Sequence, residues 1–150
     1  MPLHRIYHPK GVFSEDDKRQ ISQRLTKMYT DVGLPPFYVV VVFLPSESED
    51  LWVGGEKNDH FVRIVSQHLA RTMPTDDVKV NAMDRIDEAF APFVKDRGLE
   101  WELHIEEVER DLWRENGLVP PMPGTEAEKL WVKHNKPVPY EGMPRISNKL

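Results

Sequence analysis

Apolar residues follow two periods along this chain, and the places where the period changes predict its elements. Leu3 to His8 alternates Leu, Arg and Tyr against His, Ile and His, as a strand with two unlike faces does. After Gly11 the spacing becomes helical. Ser14 with Asp17 three residues on resembles a capping box, Ile21, Leu25, Met28 and Val32 recur at steps of four, three and four, and Gly33 supplies the stop. FYVVVVFL, Phe37 to Leu44, is then a continuous β-branched and aromatic run between Pro36 and Pro45. This run predicts a central strand buried on both faces, so the first third reads strand, helix, strand.

The same phrases return in the same order. LHRIY at Leu3 is echoed by FVRIV at Phe61, and SEDDK at Ser14 by TDDVK at Thr75, where Thr75 is a candidate helix cap. DVGL at Asp31 returns as DRGL at Asp96, ELHIEE at Glu102 occupies the place of FYVVVVFL, and EDLWVGG at Glu49 is answered by RDLWRENG at Arg110. Matches in one order, at offsets of 58 to 65 residues, identify a duplication. Pro92, inside the second helix's apolar pattern, predicts a kink or a late break.

The pattern therefore predicts an α/β fold of two tandem βαβ units, about residues 2–55 and 59–117. A right-handed crossover in each unit puts both helices on one face of a shared sheet. The other face is left bare, and a partner subunit is the expected cover.

Composition narrows the function more than the fold. At 150 residues the chain can bury about 70% of its unfolded surface and fold without staples. It has no cysteine, which excludes disulfides and thiolate metal sites. The net charge of -5 is spread along the chain without a basic block, so nucleic acid is not an expected partner. No apolar run reaches the roughly 20 residues that cross a bilayer, and no membrane association is expected; the chain reads as cytoplasmic. Of thirteen prolines, six fall in the last 31 residues, which sets off 125–150 as a Pro-rich tail, read as a subunit contact.

Candidate chemistry begins at the second residue. Pro2 follows Met1, and removal of the methionine would leave a secondary amine; an α-amino group ordinarily titrates at about 7.7 to 8.0, within reach of acid and base work at neutral pH. Arg71 closes FVRIVSQHLAR at a strand-to-helix loop, where a guanidinium can hold a carboxylate bidentately, and His68 lies three residues earlier. Glu115 stands in WREN amid other charges, and Tyr29 and His104 each offer a hydrogen bond. The six histidines show no paired metal-ligand spacing, so no metal is expected.

Taken with FYVVVVF, VGG, HLAR, DLWRENG and LVPPMPG, a β-α-β unit beginning at Pro2 and fused to a second unit resembles the tautomerase superfamily. The branch is that of the cis-3-chloroacrylic acid dehalogenases, and the likeness is closer still to its fungal-type members. It covers about residues 2–124, and the tail LWVKHNKPVPY adds to it. The resemblance implies a fused tautomerase/MIF-like domain over 1–124 and a trimeric barrel of sheets. It implies a cofactor-free enzyme that acts on a small carboxylate, with Pro2 as catalytic amine, Arg71 as carboxylate holder and Glu115 as water-activating acid. In that register Tyr29 stands where the dehalogenases have histidine, His68 where they have a second arginine, and His104 where they have tyrosine. A tautomerase acting on a 2-oxo or unsaturated acid is the leading expectation. The alternatives are a dehalogenase or hydratase of 3-haloacrylates and a silent trimeric ligand-binding module.

Overall fold

In the computed structural model, which describes residues 2–144, the duplication becomes two interlocked βαβ units. The first comprises β1 (Leu3–Pro9), α1 (Glu15–Thr30) and β2 (Val40–Ser46), followed by a short hairpin of β3 (Trp52–Val53) and β4 (Glu56–Lys57). The second comprises β5 (Phe61–His68), α2 (Asp76–Phe90) and β6 (Glu100–Glu107). A final helix, α3 (Glu126–His134), follows.

The sheet order is β2-β1-β5-β6. Each unit is internally parallel, with Leu3 beside Val40 and Phe61 beside Glu100. The units meet antiparallel through β1 and β5, Leu3 facing Gln67. This arrangement corrects one expectation. FYVVVVFL is not a central strand: Phe37 and Tyr38 belong to a 3-10 turn, and β2 starts at Val40 on the sheet's edge with Val42 37% exposed. Because the units join through their first strands, both second strands are pushed outside.

Both helices begin as their sequences require. The Asp17 amide donates to Ser14 Oγ at 3.1 Å while the Ser14 amide donates to Asp17 Oδ2 at 2.8 Å, a complete capping box, and Thr75 Oγ1 accepts from the Val78 amide at 3.4 Å. The buried stripe of α1 is Ile21, Leu25 and Tyr29, because the helix stops at Thr30 and leaves Val32 half-exposed beyond it. Pro92 breaks α2 as expected, in a 3-10 turn over Ala91–Phe93. Ile6, Ile21, Leu25, Val62, Ile64, Ile86 and Phe90 form the core between helices and sheet. No helix among the described residues is long and apolar enough to cross a membrane.

The duplicated EDLWVGG and RDLWRENG resolve into the same device. Val53 pairs with Glu56 across Gly54 and Gly55, and Glu115 bridges Leu118 across Asn116 and Gly117. All four central residues have positive φ, 62° and 89° in the first turn and 48° and 80° in the second. Two-residue hairpins need that left-handed backbone, which Asn and Gly adopt at little cost.

The Pro-rich tail also holds structure of its own. Thr125 caps α3 by accepting from the Glu128 amide at 3.2 Å, and Trp131 is wholly buried against Phe37, Tyr38 and Tyr140 of the same chain. Tail residues 145–150 lie outside the described residues.

Candidate active site

Alternation along β1 sends His4, Ile6 and His8 to the helix side, and in β5 Val62, Ile64 and Ser66 do the same. Pro2 lies one step before this strand, buried, its carbonyl accepting from the Val40 amide at 3.0 Å. Continuing the antiparallel register by one position sets Pro2 opposite His68.

His68 lines a cavity of about 280 Å³, together with Tyr29, Arg71, Thr72, Asn81 and Arg85 among others, and Pro2 is not in that lining. Tyr29 enters from the last turn of α1, and its ring lies 5.9 Å from that of His68 and 5.7 Å from that of His4. Burial lowers the pKa of His68, assisted by Arg71 and opposed by Glu107, so at neutral pH it offers a hydrogen bond rather than a charge. His4 is fully buried with Nδ1 2.7 Å from Ser66 Oγ, and burial, with His68 nearby, lowers its pKa to about 3. Burial also raises the Tyr29 phenol well above its ordinary range, which keeps it a neutral donor.

Arg71 is held from behind. Its Nη1 donates to Glu128 Oε1 at 2.9 Å and to the Ala70 carbonyl at 3.0 Å, and its Nη2 donates to Glu128 Oε2 at 3.1 Å. Glu128 belongs to α3, is 4% exposed, and accepts a further bond from the Gly124 amide at 2.8 Å. Beside this pair lies Tyr38, whose phenolic oxygen is buried without a partner among the described residues. Burial raises the pKa of that phenol, Glu128 and Glu115 add to the rise, and Arg110 and Arg71 oppose it, so the phenol lies within electrostatic reach of all four charges.

The fold thus brings Tyr29, His68 and Arg71 around one cavity; Pro2 is not in its lining and is tied to it through the strand position opposite His68, and Glu115 and His104 are also outside the lining. Glu115 sits on the second hairpin, where its Oε2 accepts from the Trp113 indole at 3.3 Å. His104 alternates against Trp101, Leu103 and Ile105, which pack on the core, and stands 3.6 Å from Glu106 and 4.0 Å from Glu102.

The family described as "Putative oxalocrotonate tautomerase enzyme" matches residues 1–136, which takes in both units, both hairpins and α3. The chain belongs to the tautomerase superfamily. RhCC from Rhodococcus jostii RHA1 is 48% identical over 92% of this chain and 99% of its own, with a TM-score of 0.89. A "probable enzyme from the thermophilic fungus Aspergillus fumigatus" is 38% identical over 93% of this chain and 98% of its own, also at 0.89. N1, a member of the cis-3-chloroacrylic acid dehalogenase family, shares the fold at a TM-score of 0.71 and 18% identity, over 89% of this chain and 97% of its own. Among curated proteins none matches.

Glu128, Tyr38 and His4 were missed in the sequence. TEAE at Thr125 to Glu128 has the spacing of a capping box and marks the start of α3, but nothing local announces that its glutamate meets an arginine 57 residues away. Tyr38 was hidden in a run read as strand, and His4 in the alternation of β1.

Proposed function

We propose that the chain is a cofactor-free tautomerase of small 2-oxo or unsaturated carboxylic acids, with Pro2, freed by removal of Met1, as its general base and acid. The observation that supports this most directly is the cavity beside the strand position opposite Pro2. The buried strand end at Pro2 stands opposite His68, and His68 lines a cavity with Tyr29, a second neutral hydrogen-bonding ring, and the Arg71 guanidinium. Arg71 binds the substrate carboxylate, neutral Pro2 takes a proton from the enol oxygen or from carbon and returns one to carbon, and Tyr29 or His68 steadies the dienolate oxygen. Neither ring adds a positive charge that would compete for the carboxylate.

Glu115 and His104 enter this reading differently. Glu115 is the water activator of the dehalogenase alternative, and Trp113 already holds its carboxylate within the same layer as Tyr38. His104 lies away from the cavity in its own chain, so its proposed role is toward a neighbouring subunit's site.

The assembly proposed is a homotrimer of the fused domain. The sheet face opposite the helices carries Leu3, Tyr7 and Val42 together with the Arg5–Glu106 and Arg63–Glu102 pairs, and β2 and β6 each have one outer edge unpaired among the described residues. If subunits cover this face, apparent stability rises with protein concentration by mass action. Sedimentation equilibrium showing a stable monomer at micromolar concentration would contradict the assembly.

The functional reading is tested with an arylenolpyruvate and an uncharged enol of the same ring. Arg71→Ala is expected to weaken the carboxylate by about 1.5 to 3 kcal/mol, seen mainly in KM, because a charged hydrogen bond is lost. It leaves the uncharged substrate nearly unaffected. Equal losses on both would assign Arg71 a structural part, and a wild-type protein that tautomerises neither would overturn the function.

A further inference from the structure

Arg71 has two faces, and only one is spent inside the fold. A guanidinium carries five N–H donors. The bonds to Glu128 and the Ala70 carbonyl use both Nη1 protons and one Nη2 proton. The Nε proton and the remaining Nη2 proton form the second fork of the same plane, with no partner assigned among the described residues, on a side chain that lines the cavity. A guanidinium clamped along one edge by a carboxylate can rotate only with its clamp. Glu128 is itself fixed, 4% exposed, tied to the Gly124 amide at 2.8 Å, and one helical turn before the fully buried Trp131.

We infer that Glu128 is a positioning residue: it grips one edge of Arg71 so that the other edge, Nε with Nη2, meets the carboxylate of the substrate. The inference rests on the proposed carboxylate site and adds to it a residue from outside both βαβ units. It makes α3 part of the binding site, since the helix supplies the charge that decides where the arginine points. Glu128 touches neither substrate nor reacting atoms, and it acts only through Arg71.

The sign of the effect separates this role from its opposite. On charge alone, removing a carboxylate close to the anion seat strengthens anion binding, because like charges at short range repel. A Glu128 that merely plugs the seat behaves the same way. A positioning residue does the reverse, because a loose guanidinium loses the bidentate geometry that gives such pairs their strength.

The test is calorimetric titration of full-length wild type, Glu128→Gln, Glu128→Ala, Arg71→Ala and the Arg71→Ala/Glu128→Gln double variant, with phenylpyruvate and with uncharged phenylacetone. Glu128→Gln and Glu128→Ala are expected to bind phenylpyruvate about tenfold more weakly and phenylacetone unchanged. In the Arg71→Ala background, Glu128→Gln should cost nothing further. Circular dichroism of each variant confirms that the folded protein is being titrated; if Glu128→Ala does not fold, the isosteric Glu128→Gln decides alone. Unchanged or tighter phenylpyruvate binding in Glu128→Gln overturns the positioning role while the enzymatic reading stands. Wild type that binds phenylpyruvate without turning over its enol overturns the enzymatic reading and leaves the positioning role in force. Wild type that binds no phenylpyruvate overturns both.

Discussion

Pro2→Ala protein is expected to tautomerise an arylenolpyruvate about 100-fold more slowly than wild type, the lower end of what a positioned general base contributes. Its fold should be intact, because the structural bond at this position is made by the backbone, from the Val40 amide to the residue-2 carbonyl at 3.0 Å, and alanine keeps it. What alanine loses is the rigid ring that fixes the direction of the nitrogen lone pair, and small errors of placement are costly in proton transfer. Retention of Met1 is the harsher case, since the nitrogen then becomes an amide with no basic lone pair, and activity should fall by the full contribution of the base. Intact mass reports which form is present. The pH profile reports the role: a base gains rate as pH rises through the amine's titration, whereas an acid donor of the dehalogenase type loses it. Undiminished activity in Pro2→Ala, or in protein that keeps Met1, would sink the mechanism.

The strands and helices of the two βαβ units were legible in the sequence because each is written locally, whereas α3 was read only as part of a Pro-rich tail. Ser14 with Asp17, Thr75 and Pro92 carry their own geometry, and the duplication supplies their order. Strand order was not legible. Buried runs such as FYVVVVFL advertise hydrophobicity but not which neighbour provides the burial, and here the core takes only one side of an edge strand, through Val41 and Phe43. The site divides the same way. Tyr29 and His68 converge because they lie at the ends of α1 and β5, and Arg71 follows three residues on in the loop after β5, a consequence of βαβ geometry. Glu128 arrives by tertiary packing of a helix anchored through Trp131, which a proline count of the tail disguises.

Acid is expected to destabilise the protein well before its carboxylates protonate, with about 2.5 kcal/mol lost between pH 7 and pH 4.5 through His4 alone. His4 is wholly buried, its Nδ1 is engaged by Ser66 Oγ at 2.7 Å, its ring packs on Tyr29, and Nε2 has no partner among the described residues. Burial therefore holds its pKa near about 3 in the native state, against about 6.5 in an unfolded chain. Above pH 6.5 neither state binds the proton and stability is full. From there down to about pH 3 only the unfolded state takes it up, so stability falls with each unit. His68 and His8, both lowered chiefly by burial, act in the same direction. Asp17, held low by Arg97, and Glu106, held low chiefly by its bond from Gln67, begin to contribute only within about a pH unit of the ordinary carboxylate range, so the part of the window above about pH 5.5 isolates the histidines. Urea unfolding at fixed protein concentration, across this window, measures the slope. His4→Asn, which keeps a polar contact for Ser66 but does not titrate, should start less stable at pH 7 and lose about 1.4 kcal/mol less per pH unit. A variant with the wild-type slope would show that His4 is charged in the folded protein, and that the neutral, dry floor beneath Tyr29 and His68 does not exist.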